Sequence, residues 1–162
     1  MTFIRTGLGI DFHQLEEGRV FMLGGIKIPH YKGAVGHSDA DVLLHAICDA
    51  LLGAVGLEDI GTQFPDTDPA YKGIDSKLLL EKTFLLVKGK GYHLINIDTA
   101  ICLQTPKIKP FIPQMKIGIA SILQVEKEAI GIKATTTEKM GFVGREEGVM
   151  AYATVLLEKS SD

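Results

Sequence analysis

Apolar and polar positions fall along the chain in blocks whose period predicts the elements. Phe3 to Leu15 reads as a strand that carries Gly7 and Gly9. Arg19 to Ile28 reads as a second extended piece, interrupted by Gly24-Gly25 and closed by Pro29. His30 to His37 is a loop. Ser38 then opens a helix that runs to about Val55: Ser38-x-x-Asp41 has the form of a capping box with an acid in its last place, and Gly56 supplies the stop. Leu57 to Ile74 is long, irregular and rich in Asp, Gly, Pro and Thr, a composition typical of binding loops and lids. A second helix spans Asp75 to Gly89, and a strand follows from Tyr92 to Gln104, with Ile95, Ile97, Thr99, Ile101 and Leu103 on one face. Pro106, Pro110 and Pro113 punctuate the next segment before a third helix, Pro113 to Gln124. Ile130 to Thr136 is a strand, Glu138 to Gly148 a glycine-containing turn, and Val149 to Glu158 the last strand.

The order β-β-α-α-β-α-β-β predicts an α+β fold, with helices packed on one face of a mixed or antiparallel sheet, in a ferredoxin-like arrangement. The last strand carries Val149, Ala151, Ala153, Val155 and Leu157 on one side, yet Met150, Tyr152 and Leu156 occupy the other. Helices cover one face only, so the second apolar face predicts an oligomer.

Composition narrows the function classes. With 162 residues, no repeats and no linker, the chain is expected to form a single domain over 1–162. A net charge of -3 without a dense Lys/Arg run argues against nucleic-acid binding. No apolar run of membrane-spanning length and no signal-like segment occur, which predicts a cytoplasmic protein off the membrane. Cys48 and Cys102 each sit in apolar runs without CxxC spacing, the pattern of buried reduced thiols rather than of a metal site.

The chemistry-bearing residues form several clusters. Asp11-Phe12-His13 places a carboxylate and an imidazole two apart on a strand, about 6.5–7 Å between Cα atoms, with Phe12 turned the other way into the core. Alone, the triplet is equally a polar pair at a strand end. Asp41, His45 and Asp49 then recur at i, i+4 and i+8 along an otherwise apolar helix. Polar groups on such a face require partners. Two His and one carboxylate with a fourth position open is the donor set of a catalytic zinc site, so Asp11, His13 and His45 are candidate ligands, with an acidic neighbour on the helix orienting the imidazole. His37-Ser38 precedes the helix, where free N–H groups and the dipole suit a phosphate or simply a cap. Asp59-Ile60-Gly61 and Phe64-Pro65-Asp66-Thr67-Asp68 place acids in the long loop, either for hydroxyls and cations or as a solvated turn. Thr135-Thr136-Thr137 ends a strand with a row of hydroxyl and amide donors for phosphate oxygens, and Glu138 offers a carboxylate to a hard cation. Lys107 and Arg145 are candidate phosphate-binding cations, while His30 and His93 read as solvated.

Taken as an ordered set, these blocks resemble the 2-C-methyl-D-erythritol 2,4-cyclodiphosphate synthase family. The resemblance rests on Gly9 to His13, Gly36 to Asp41 with His45-Ala46, Asp49 to Gly53, Asp59 to Gly61, Phe64 to Asp68, Gln104 to Lys107 and Lys133 to Phe142. It is collinear from about Leu8 to Leu157. It implies zinc on Asp11, His13 and His45, and a second divalent cation, Mg²⁺ or Mn²⁺, held by Glu138 and the substrate diphosphate. It implies transition-state assistance from His37 and Thr136. It places Asp11, His13, Ser38, Asp59, Ile60, Gly61, Phe64, Asp66 and Asp68 against the substrate. Thr105, Pro106, Lys107, Thr135, Thr137, Phe142 and Arg145 complete the binding set, the nucleotide segments coming from a neighbouring subunit of a homotrimer. The substrate it implies is a nucleotide diphosphate, the cytidine diphosphate ester of methylerythritol 2-phosphate, which is cyclised with release of CMP. Tyr152 stands where the family often has an acid near the trimer axis, which alters the hydrophobic cavity there.

Overall fold

The computed structural model describes residues 3–159, so both ends of the expected 1–162 domain lie outside the described residues. Strand β1 (Phe3–Glu17) is long enough to run the length of the sheet. It pairs antiparallel with the last strand, β7 (Gly148–Lys159), from Phe3 opposite Lys159 to Gln14 opposite Gly148. The far end of β1 pairs with the short β4 (Lys32–Ala34). On the other side of β7 lies β5 (His93–Cys102), antiparallel to it, and β5 in turn pairs in parallel with β6 (Ile130–Thr135). The order is therefore β4-β1-β7-β5-β6, a mixed sheet. The ferredoxin-like arrangement does not form. That motif alternates β-α-β-β-α-β; here the helical crossover from β5 leads to a parallel neighbour, and β7 returns to the middle of the sheet.

The Arg19–Ile28 piece is a hairpin of β2 (Phe21–Leu23) and β3 (Ile26–Ile28). Its two-residue turn, Gly24-Gly25, has φ of 61° and 79°, the left-handed values that a tight hairpin turn demands and that glycine meets without a side-chain clash.

Helix α1 (Val42–Ala54) lies directly on β1 and β7. The approach is possible because β1 carries Gly7 and Gly9 beneath it. A Cβ on either would stand 1.9 Å from a helix carbonyl, that of Ala50 or Ala46 respectively. Leu43, Leu44, Ile47 and Leu51 of α1 are fully buried, each such side chain contributing about 1.5–3 kcal/mol. The helix starts one turn later than its sequence suggests. Ala40 takes a left-handed φ of 56°, so 38–41 is a turn and Asp41 is the N-cap, its carboxylate accepting from Leu44 N–H. The same buried carboxylate accepts from Gly24 and Gly25 N–H at 2.9 and 2.7 Å, tying the hairpin to the helix. At the other end Gly56, at φ 72°, terminates the helix as expected.

The expected irregular loop contains a short helix, α2 (Ile60–Gln63), and a 3-10 turn, Pro69–Tyr71. Helix α3 (Ser76–Gly89) packs on α1, and α4 (Ile112–Leu123) leads into β6. In β5 a bulge between Leu94 and Asn96 shifts the alternation. Leu94 is buried and Ile95 exposed, while Ile97, Thr99, Ile101 and Leu103 face the core as expected.

The opposite sheet face is uncovered: Ile4, Leu8, Ile10, Phe12 and Tyr152 are exposed on it. Phe12, expected in the core, is 63% exposed. Its neighbours Asp11 and His13 share the face of Gly9, the helix-covered one, so the intervening residue must point to the bare side.

Candidate metal centre

Two elements bring the triad together at the α1–β1 contact. The pleat of β1 turns Asp11 and His13 to one face, opposite Ala151 and Val149 of β7. The Ala46 carbonyl sits over Gly9, which brings the adjacent His45 above Asp11. His13 Nε2 and His45 Nδ1 each lie 3.1 Å from Asp11 Oδ2. The same two nitrogens are 3.1 Å apart. The donors thus form a nearly equilateral triangle, the one such metal-ligating cluster among the described residues. Tetrahedral zinc, with ligand bonds of about 2.0–2.2 Å, needs ligand–ligand edges of roughly 3.3–3.6 Å. The triangle needs only a few tenths of an ångström of expansion, so the residues fit the ion.

The local setting favours the ligating forms. His13 Nδ1–H donates to the Val35 carbonyl at 2.9 Å, which leaves the Nε2 lone pair facing the triangle. Gly36 allows the loop this close: a Cβ there would stand 3.2 Å from the His13 ring. Side-chain exposures of 26%, 17% and 12% for Asp11, His13 and His45 describe a site shielded from bulk water yet open on one side. Burial pushes the Asp11 carboxyl up, but hydrogen bonds and charge from His13 and His45 outweigh it and bring the pKa down to about 2. Burial acts to lower the His45 pKa, and the Asp11 carboxylate overrides it, raising the value.

Beside the triangle lies a cleft of about 410 Å³, lined by His13, His37, Ser38, His45, Gly61 and Asp66, among others. Of the loop residues expected to bind substrate, Ile60, Gly61, Phe64 and Asp66 line this cleft, whereas Asp59 and Asp68 do not. Ile60 N–H donates to Asp49 at 2.8 Å, anchoring α2 beside α1, and Asp59 caps α2 through Thr62 N–H. Phe64 packs on Tyr71 and lines the cleft. His37 Nδ1 sits 3.3 Å from Asp66, both exposed. Asp68 caps the 3-10 turn.

A second, smaller cleft of about 170 Å³ is lined by Gln104, Pro106, Lys107, Thr135 and Thr136, among others. Its lining shares no residue with the first. The Thr105–Pro106 bond is cis. Beyond β6 the chain turns sharply: Glu138 and Lys139 have left-handed φ of 52° and 66°, a costly backbone for such residues and one that clusters at functional sites. Thr136 Oγ–H donates to Glu138, Thr137 Oγ–H donates to the Met140 carbonyl, and Lys139 N–H donates to Gln104. Phe142 is the second residue of α5 (Gly141–Gly144) and its ring lies against Gly148, while Arg145 forms a forked pair with Glu147.

A model of the YgbB family matches residues 4–158. The chain belongs to that family. It is 60% identical over 156 residues to the 2-C-methyl-D-erythritol 2,4-cyclodiphosphate synthase of Bacteroides thetaiotaomicron, an alignment covering 96% of this chain and 98% of the relative. The synthase of Chloroherpeton thalassium is 57% identical, with 96% of this chain and 99% of the relative covered. Among solved structures, a 2C-methyl-D-erythritol-2,4-cyclodiphosphate synthase superposes with a TM-score of 0.88 at 40% identity, covering 94% of this chain and 99% of that one. The bifunctional IspDF of Campylobacter jejuni superposes at 0.95 and 43% identity, covering 99% of this chain, which spans 44% of that longer protein.

Within this YgbB-family chain the reading that an acidic helix neighbour orients His45 changes: Asp41 caps α1 and holds the hairpin, and Asp49 accepts from Ile60 N–H. The groups that reach the outer nitrogen of His45 are Ser76 and Ser38, at 2.9 and 3.1 Å. Nothing local marked Ser76, which reads as an ordinary first residue of a helix; its role depends on a contact spanning 31 residues. His30, expected to be solvated, packs between Phe21 and Tyr31, and its Nε2 is buried without a hydrogen-bond partner among the described residues.

Proposed function

We propose that this protein is a metal-dependent cyclase that converts 4-diphosphocytidyl-2-C-methyl-D-erythritol 2-phosphate to 2-C-methyl-D-erythritol 2,4-cyclodiphosphate and CMP, a step of non-mevalonate isoprenoid precursor formation. The observation that carries this reading is the Asp11–His13–His45 donor triangle in a chain matched along its length by synthases of that name. The 2-phosphate oxygen of the substrate bonds to the β-phosphorus, and the bond from that phosphorus to the oxygen bridging to the α-phosphate breaks, so that CMP leaves with that oxygen. No side-chain nucleophile and no water are consumed. Catalysis then consists of positioning and charge neutralisation, and joining two ends of one molecule contributes several kcal/mol through effective molarity (roughly 7–11 kcal/mol at the extreme).

Zinc suits Asp11, His13 and His45, and when bound it offsets the charge of the phosphates that must approach each other. Glu138, with the substrate diphosphate, is assigned to a second ion, Mg²⁺ or Mn²⁺. His37 and Ser38 receive the 2-phosphate region. Asp59, Ile60, Gly61, Phe64, Asp66 and Asp68 enclose the methylerythritol. Thr105, Pro106, Lys107 and Thr135 to Thr137 hold the nucleotide, Thr136 also assisting the transition state, with Phe142 and Arg145 at the border of the site.

Two separate clefts in one chain support a homotrimer in which one subunit's metal cleft meets its neighbour's nucleotide cleft. The Plasmodium falciparum IspF structure is a CDP complex; it superposes at a TM-score of 0.85 and 33% identity, covering 98% of this chain and 97% of that one. The bare apolar face of Ile4, Leu8, Ile10 and Phe12 supplies the subunit contact. Family coverage of 4–158 supports one domain, and the free cysteines fit a reducing cytoplasm. The test is metal content together with turnover. The wild type is expected to carry one zinc per chain, and His45→Ala to lose both the zinc and CMP formation. A His45→Ala protein with full zinc occupancy and wild-type turnover would overturn the assignment.

A further inference from the structure

The outer edge of the metal triangle contains a hydrogen-bond chain that the reaction scheme leaves unexplained. His45 Nε2 lies 2.9 Å from Ser76 Oγ. Ser76 is fully buried at the start of α3, and its hydroxyl also donates to Asp39 Oδ1. The other oxygen of Asp39 accepts from Ser76 N–H at 3.1 Å, so the carboxylate grips this one residue twice. An ionised carboxylate only accepts. The Ser76 proton therefore lies on the Asp39 side, and the lone pairs of Ser76 Oγ face His45. Only an Nε2–H can satisfy them. Ser38 Oγ, at 3.1 Å from Nε2, accepts from Ala40 N–H and has a second lone pair that can share the same Nε2–H. In the metal-free ring the Asp11 carboxylate, 3.1 Å away, also draws a proton to Nδ1; a metal ion displaces that proton, and the Nε2–H held by Ser76 then leaves the Nδ1 lone pair, 3.1 Å from both Asp11 Oδ2 and His13 Nε2, for the ion.

We propose that Asp39, acting through Ser76, is a positioning residue that fixes His45 with Nδ1 free for the metal. His13 has the mirror arrangement, with Nδ1–H held by a backbone carbonyl and Nε2 free. The two imidazoles thus present opposite ring nitrogens to one point, each set by a partner outside the triangle. Because Ser76 opens α3 and Asp39 N–H donates to the Ile74 carbonyl at 3.3 Å, the chain also ties the metal site to the exit of the 57–74 loop.

The inference rests on zinc occupying the triangle, and its test separates the two. Full-length wild type, Ser76→Ala and Asp39→Asn are compared by zinc affinity against a competing chelator. Nitrogen-resolved imidazole NMR of the zinc-loaded proteins gives a second reading. The wild type is expected to show a His45 Nε2–H that is hydrogen-bonded and slow to exchange, with Nδ1 on the metal. Ser76→Ala is expected to speed the exchange of that proton and to bind zinc about 10–100-fold more weakly. In Asp39→Asn an amide N–H can reverse the chain, giving a loss in the same direction. A merely structural role for Ser76 would not move the Nε2–H signal. Wild-type affinity and an unchanged Nε2–H signal in both variants would overturn the proposal, as would zinc on Nε2 of His45 in the wild type. A wild-type protein that binds no zinc removes the metal reading itself, and this inference with it.

Discussion

Asp11 and His45 carry opposite pKa shifts, and these make the metal-free site pH-sensitive in a definite direction. The Asp11 carboxyl is held down at about 2, so its contribution to stability is present above its ordinary value near 3.8 and is lost as pH falls through about 2. The raised His45 pKa works the other way: its contribution is complete below about 6.5 and is lost as pH rises through the raised value. A metal takes the place of that proton. Zinc affinity is therefore expected to climb with pH through the His45 window, and chelated protein to lose its His45-dependent stability over the same window. Thermal melts of chelated wild type and His45→Gln across pH 6–9 check this; a difference that does not change with pH would contradict it. Cys48 gives a second residue-scale expectation. Complete burial in α1 pushes its thiol up to about 12, so a thiol reagent should label it only on unfolding. The ligand triad was legible in the sequence, because strand spacing and one polar helix position are local signals. Ser76 was not, since its function arises from tertiary contact with Asp39, 37 residues away.

At the scale of elements, the α1–β1 contact decides whether the site exists. Gly9 was visible in the sequence only as a glycine in a strand; its purpose, to admit the Ala46 carbonyl, appears once the helix is docked. Gly9→Ala is expected to lift α1 from β1, destabilising the protein by about 1–3 kcal/mol and weakening zinc binding because His45 moves away from Asp11. Denaturant melts and zinc titration read the two effects; loss of stability with intact zinc affinity would show that the helix adjusts without moving His45. Asp41→Ala leaves three backbone N–H groups without their carboxylate, and a loss of roughly 3 kcal/mol is expected. The start of α1 was misread by one turn because Ser38 and Asp41 both have capping chemistry. The left-handed Ala40 between them resolves which one caps, and alanine gives no sequence signal for that conformation. The same limit explains the bulge that turns Leu94 inward: alternation predicts a face only while the register holds.

For the whole molecule, helices and the main strands followed from periodicity, which left the sheet mixed or antiparallel and did not give the strand order. The insertion of β7 between β1 and β5 is a long-range pairing with no local signature. The apolar excess on the second face was readable, and it bears on the assembly. Phe12→Glu places a charge on that face and is expected to convert the proposed trimer to monomers in sedimentation analysis and to abolish turnover, while zinc still binds to the intact triangle. A trimeric, active Phe12→Glu protein would move the subunit contact elsewhere.

The most direct test of the central claim is phosphorus NMR of the protein with 4-diphosphocytidyl-2-C-methyl-D-erythritol 2-phosphate, zinc and magnesium. A mutually coupled pair of cyclic diphosphate signals, appearing in step with CMP and absent after chelation, is the predicted result. Release of CMP with only open-chain phosphates would contradict it and mark a metal-dependent hydrolase using water in place of the substrate's own phosphate.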